Sequence, residues 1–284
     1  MLVFNKPFSS GSLSKFQTRT AERNEKTLKD ILILKAWDRA LNSESADLKI
    51  VHCISSRGSV SHIGRSINTS PFLLKPADAL LATWDTISTS CIGGRILPDG
   101  RVLGVAPLDI HLNLKVPVQN IIGTHHHDVC FNSFAGLEGN LPNGRVIDSA
   151  MLAKNIFNGV EKPNKIGFKM NEPYNILRHP DEFRRNMEQA IGSYNEIIII
   201  GKPGVKLYMD FPCTSAIKLT SISFRPNYIR QVLATGRLDE TFICKFKEDM
   251  TYIKRLLRMN NINITSHFES AGFRKQCDTV FVLN

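Results

Sequence analysis

The chain has 284 residues, 36 Lys plus Arg against 26 Asp plus Glu, and a net charge of +10. With 42% hydrophobic and 22% charged residues it has the composition of a globular protein, which excludes wholesale disorder. No apolar run reaches the ~20 residues of a membrane-spanning helix, while the basic charge is compatible with an acidic protein, anionic membrane or nucleic acid as partner.

Residues 1–25 form a basic leader, Ser/Thr-rich and acid-free up to Ala21, with Lys6, Lys15 and Arg19. It has no apolar segment of the secretory type and fits a transit sequence, a bacterial secretion leader or a loose terminus. From Lys26 to Leu41 apolar residues recur at helical spacing, with Thr27 as a cap. Leu48–Ser55 is a buried strand, and Pro76–Trp84 a short helix with proline at its start. Two β-rich runs, Thr86–Leu97 and Arg101–Ala106, flank Pro98-Asp99-Gly100 and predict a hairpin. An irregular insertion is expected around 115–195, containing one helix at Asp148–Phe157 and a second at Asp181–Ile191, whose acids Asp181 and Glu182 suit a helix N-terminus. Strands follow at Glu196–Ile200, Val205–Phe211 and Ala216–Phe224, then a basic helix at Asp249–Met259 and strands at Ile262–Thr265 and Thr279–Leu283. These elements predict an α+β fold, a mixed and mainly antiparallel sheet or sandwich with flanking helices, as a single catalytic domain over 26–284.

The six cysteines, Cys53, Cys91, Cys130, Cys213, Cys244 and Cys277, contain no CxxC pair and no compact disulfide pattern. They are expected as free thiols, which leaves one available as a nucleophile. Cys91 stands out because the predicted hairpin sets it on one strand and His111 just past the other, and a thiolate needs a base beside it. Ser88, Thr89 and Ser90 offer hydroxyls for the imidazole or an oxyanion, and Gly93 and Gly94 would admit a substrate backbone.

The Thr-Ser-Cys segment, hairpin and following His resemble the cysteine deamidases related to cytotoxic necrotizing factors and the chemoreceptor deamidase CheD. The strand, Gly-containing turn and final strand after Asp249 are similar to CheD as well. That resemblance implies Cys91 as nucleophile, His111 as general base and Ser88 or Thr89 as hydroxyl partner, hydrolysing a glutamine side-chain amide through a thioester. No cofactor is needed. It further implies a bacterial effector or toxin, secreted into the host cytosol, with a host protein as substrate.

A second resemblance uses overlapping residues. VHCISSRG and ISTS look like the Arg and Ser-Thr-Ser elements of mono-ADP-ribosyltransferase toxins, in which the Arg holds an NAD phosphate and a Glu stabilises the oxocarbenium-like ribose. This implies Arg57, Ser88–Ser90 and Glu240, although Leu238 stands where the toxins carry Glu or Gln. A third, non-enzymatic alternative is a basic adaptor that binds an acidic protein or anionic membrane.

The segment 124–130, THHHDVC, concentrates metal-type ligands. On a strand His125 and His127 share a face while His126 points away, and two ligands do not close a tetrahedral site. Val129 breaks the HxHxDH pattern. Solvated histidines, a cleft lining or a pairing with Cys130 are the other readings, and no metal is assigned. GKPGVK at 201–206 lacks phosphate-loop spacing. The basic run of Lys245, Lys247, Lys254, Arg255 and Arg258 comes with no nucleic-acid-binding module.

Overall fold

The computed structural model describes residues 29–54, 71–84, 86–93, 108–127, 129, 149–160, 172–189, 195–205, 207, 216–226 and 240–262. The fold is α+β. Five helices are described: α1 (29–42), α2 (Ala77–Leu81), α3 (Ser149–Phe157), α4 (Pro180–Gln189) and α5 (Glu240–Met259). Six strands, β1 (Lys49–Ile54), β2 (Thr86–Ile92), β3 (Leu108–Lys115), β4 (Ile121–His125), β5 (Glu196–Ile200) and β6 (Lys218–Pro226), join in the order β4-β5-β2-β1-β3-β6. Every neighbouring pair is antiparallel.

Because cross-strand partners share a face, the register sorts the side chains into two layers. Ile50, Ile54, Ile87, Cys91, Ile110, Leu112, Leu114, Ile197, Ile199 and Ile222 lie on one face. They are buried in one cluster with Leu34 and Trp37 of α1, Phe183 and Met187 of α4, and Ile253 and Leu256 of α5. Trp37 meets Phe183 edge to face at 5.3 Å, and its Nε1–H donates to the Arg178 carbonyl at 2.8 Å. On the opposite face Ile198 and Ile200 pack with Leu152, Ala153 and Ile156 of α3 in a second, smaller cluster. Across β2, β1 and β3 that same opposite face carries Ser88, Ser90, Cys53, His111 and Asn113 around buried Val51.

The second strand of the hairpin expected from sequence, Arg101–Ala106, lies outside the described residues. β1 lies between β2 and β3, and the described residues contain no pairing of β2 with β3. Pro98, Asp99 and Gly100 fall outside the described residues. β2 has the apolar ladder of β5 on one side and Ile50–Val51 of β1 on the other. The expected insertion also contributes more order than its composition suggests, since it supplies edge strand β4 and helices α3 and α4. Val205 and Leu207 are described but lie in no strand, and the strand forecast at Thr279–Leu283 lies outside the described residues. The basic helix begins earlier than predicted, at Glu240.

β1 and β2 part company partway along. Their ladder runs from Lys49↔Ile92 to Val51↔Ser90, and past it the His52 side chain inserts, Nδ1–H donating to the Ser88 carbonyl at 2.9 Å. His52 packs against Trp84 and Phe72, with ring centroids at 5.5 and 6.0 Å. Burial holds its pKa below the usual 6.5, against a smaller upward pull from the Ser88 hydrogen bond. The unfolded chain therefore takes up a proton at this position before the folded one does, and stability contributed by neutral His52 is lost as pH falls below about 6.5.

Two measurements check this architecture. Phe183→Ala empties a fully buried site and should cost about 3–5 kcal/mol in denaturant unfolding. The stability difference between wild type and His52→Leu, which cannot titrate, should shrink as the pH of the melt drops below about 6.5. A constant difference across that range would contradict a neutral buried imidazole.

Candidate functional site

The structure does not bring Cys91 and His111 together. Cys91 is opposite Ile50 and His111 opposite Cys53, so the two lie on opposite faces of the sheet. Strand spacing sets their Cα atoms about 14 Å apart. The Cys91 side chain is fully buried in the larger core, and burial pushes its thiol up to about 12, with smaller opposed influences from Arg184 and Asp47. Essentially no thiolate exists there at neutral pH. Its backbone is pinned as well: its N–H donates to Asn195 Oδ1 at 2.7 Å and its carbonyl accepts from Asn195 Nδ2 at 3.0 Å. Cys91 is thus a core residue of β2.

The other expected residues are dispersed. Thr89 donates its hydroxyl to the Ile197 carbonyl at 2.7 Å and so ties β2 to β5. Gly93 has φ +134° and passes so close to the Asp47 carbonyl that any Cβ would collide, so it serves a backbone crossing. Gly94 and Arg57 lie outside the described residues, as does Cys130. Glu240 is exposed on the first turn of α5, where an acid suits the helix dipole.

What the fold gathers is a different set. Ser88 projects from the polar face and donates to Glu196 Oε1 at 2.6 Å. The Val129 N–H donates to Glu196 Oε2 at 2.9 Å. Both carboxylate oxygens are therefore held, at the first residue of β5 and beside the place where β1 and β2 separate. Glu196 is 1% exposed, and the neighbouring Ser90 hydroxyl is buried with no hydrogen-bond partner among the described residues. Farther along the same face Cys53, half-buried, stands directly opposite His111. A cross-strand pair of this kind places Cβ atoms about 5 Å apart.

Next to Glu196 lies the histidine cluster. His125 ends β4 as the direct partner of Glu196. The segment from Glu172 is strapped along β4: Thr124 N–H donates to the Ile176 carbonyl at 2.8 Å, and Arg178 N–H to Thr124 Oγ1 at 2.7 Å. Gly123 makes this possible, since a Cβ there would collide with the Tyr174 carbonyl. The strap carries Glu172 to His125 Nδ1 and His127 Nε2, each 3.5 Å from Oε2, while Arg178 grips both carboxylate oxygens at 2.7 and 2.8 Å. His125 is driven down to about 4, chiefly by burial, against an upward pull from its Tyr174 contact. For Glu172 burial pushes upward, but the Arg178 hydrogen bond and charge outweigh it and hold the carboxyl below its usual range. The sequence showed the histidines; Glu172 is 47 residues from His125 and carried no local signal.

A groove of about 270 Å³ lies at the other end of β1, lined among others by Leu41, Ser43, Lys49, Lys115 and Thr220. It is lined by no acid, thiol or imidazole.

These placements rank the thiols. Mapped alkylation of native protein at neutral pH should modify Cys53 and exposed Cys244 well ahead of Cys91, which should react only after unfolding. Fast labelling of Cys91 would contradict its burial. No family model matches the chain, and no curated protein and no solved structure matches it either.

Proposed function

We propose that the protein transfers ADP-ribose from NAD to a side chain of another protein, with Glu196 as the acid that stabilises the transition state. The observation that carries this reading is the Ser88–Glu196 hydrogen bond. The Ser-Thr-Ser strand, which resembles that of the ADP-ribosyltransferase toxins, holds a carboxylate on the neighbouring strand. In this reading Glu196 takes the role that the resemblance implied for exposed Glu240, and Tyr194 stands two residues before it. Arg57 follows β1 by three residues and would meet an NAD phosphate.

The chemistry asks for such an acid. The bond from ribose C1′ to the nicotinamide nitrogen breaks, and its electron pair leaves with nicotinamide. Positive charge spreads over C1′ and the ring oxygen, and a fixed carboxylate offsets it, as in glycoside hydrolysis. A heteroatom of the target then bonds to C1′ and gives up its proton. Ser88 and the Val129 N–H fix the carboxylate beforehand, so it need not reorganise as charge develops. NAD is here a substrate, and the chain's basic charge favours encounter with an acidic target.

The Cys53–His111 rung supports a second reading, the thiol deamidation that the first resemblance suggested, with Cys53 in place of Cys91. His111 would take the thiol proton, and the thiolate would attack a glutamine carbonyl and expel ammonia before water hydrolyses the thioester. In both readings the protein acts as a bacterial effector on a host protein.

The two separate cleanly in a cell extract read by intact mass. With NAD, wild type should add ADP-ribose to a protein. Glu196→Gln should lower the rate about 10²–10³-fold, Ser88→Ala less, and Arg57→Ala should weaken NAD use. Glu240→Ala and Cys53→Ala should leave it unchanged. A gain of about one mass unit that needs Cys53 and no NAD would establish the deamidation instead. Transfer undiminished in Glu196→Gln would refute the assignment of Glu196.

A further inference from the structure

His125, His127 and Glu172 present one ligand atom each within 4.8 Å of one another, and we infer that they form a divalent metal site of the zinc class, filled in the native protein. The Tyr174 carbonyl, 3.2 Å from His125 Nε2, can only accept, so Nε2 carries the hydrogen. With the hydrogen there, Nδ1 is the ring nitrogen that can offer a lone pair to a metal. Nδ1 lies 3.5 Å from Glu172 Oε2. His127 Nε2 reaches the same oxygen at the same distance.

An imidazole nitrogen and a carboxylate oxygen can both bond one cation set between them. Zinc bonds of about 2.0–2.2 Å to a nitrogen and an oxygen 3.5 Å apart subtend an angle near the tetrahedral one. Two imidazoles and one carboxylate make a three-ligand set, with a fourth position for water. The surroundings fit as well. A ligating imidazole normally gives its second N–H to a carbonyl, as His125 does to Tyr174, and a ligating carboxylate is normally hydrogen-bonded, as Glu172 is by Arg178. Each carboxylate oxygen has two lone pairs, so Arg178 leaves Oε2 one for a metal. The mix of imidazole and carboxylate favours zinc over magnesium or calcium, which take all-oxygen sets.

The site also has a position in the fold. It clamps the end of β4 to the 172–178 strap, four residues before the Val129 N–H that holds Glu196. Metal would therefore order that loop, independently of which reaction the protein performs.

The test uses the full chain, stripped with a chelator and titrated with Zn²⁺, with Co²⁺ as the spectroscopic probe. Wild type should bind about one equivalent at this site, give the intense visible absorption of tetrahedral cobalt, and melt at higher temperature when loaded. His127→Ala and Glu172→Gln should each lose more than the about tenfold to hundredfold that outer contacts are worth, while His179→Ala, an exposed imidazole nearby, should bind as wild type does. Should either variant fail to fold, X-ray absorption at the metal edge of loaded wild type decides: two imidazoles plus oxygen support the site. Absence of binding by wild type, a sulfur-rich edge, or undiminished affinity in folded His127→Ala would overturn it.

Discussion

The structure depends on β5 being buried on both faces. Ile197 and Ile199 enter the larger core beneath α1, α4 and α5, while Ile198 and Ile200 enter the smaller one beneath α3. A strand with no exposed side must be flanked on both edges, because its main-chain groups cannot reach water. β2 and β4 provide those edges. Drawing β2 to β5 leaves it only one other edge, which β1 takes, so β3 must pair beyond β1. The separation of Cys91 from His111 follows from this single requirement.

The same constraint makes Glu196 unusual. An acid at the mouth of a four-isoleucine strand is carried into the interior by its neighbours, and an ionised carboxylate there has to be hydrogen-bonded. Ser88 and Val129 meet that need. A group fixed so firmly is costly to keep for stability alone, since an apolar residue would fill the space without desolvation. That cost is what makes Glu196, rather than solvent-facing Glu240, the residue around which a reaction is proposed.

Legibility in the sequence followed the range of the forces. β1, β5, α4 and the later half of α5 were readable because each signals itself through local apolar period or a run of β-branched residues. Strand order was not, since nothing in 86–106 records that Ile197–Ile200 compete for β2 and win. Within the site, the Ser-Thr-Ser strand and the histidines were visible as local patterns. Their partners were not: Ser88 and Glu196 are 108 residues apart, and Glu172 reaches His125 only because Gly123 lets the Tyr174 carbonyl pass. One usable signal did exist for Glu196, a lone acid adjoining four isoleucines, which a search for buried charge would have singled out.

Asn195, one residue before Glu196, bonds to both the N–H and the carbonyl of Cys91 through its side-chain amide. An amide side chain offers the same donor and acceptor as a peptide unit, so this residue counterfeits one further rung of the sheet. β2 is thereby satisfied one rung past the point where β5 begins. The β2–β5 ladder can thus end beside Glu196 without leaving the Cys91 backbone groups bare. A residue without a carboxamide at 195 would take this partner from both Cys91 backbone groups at once.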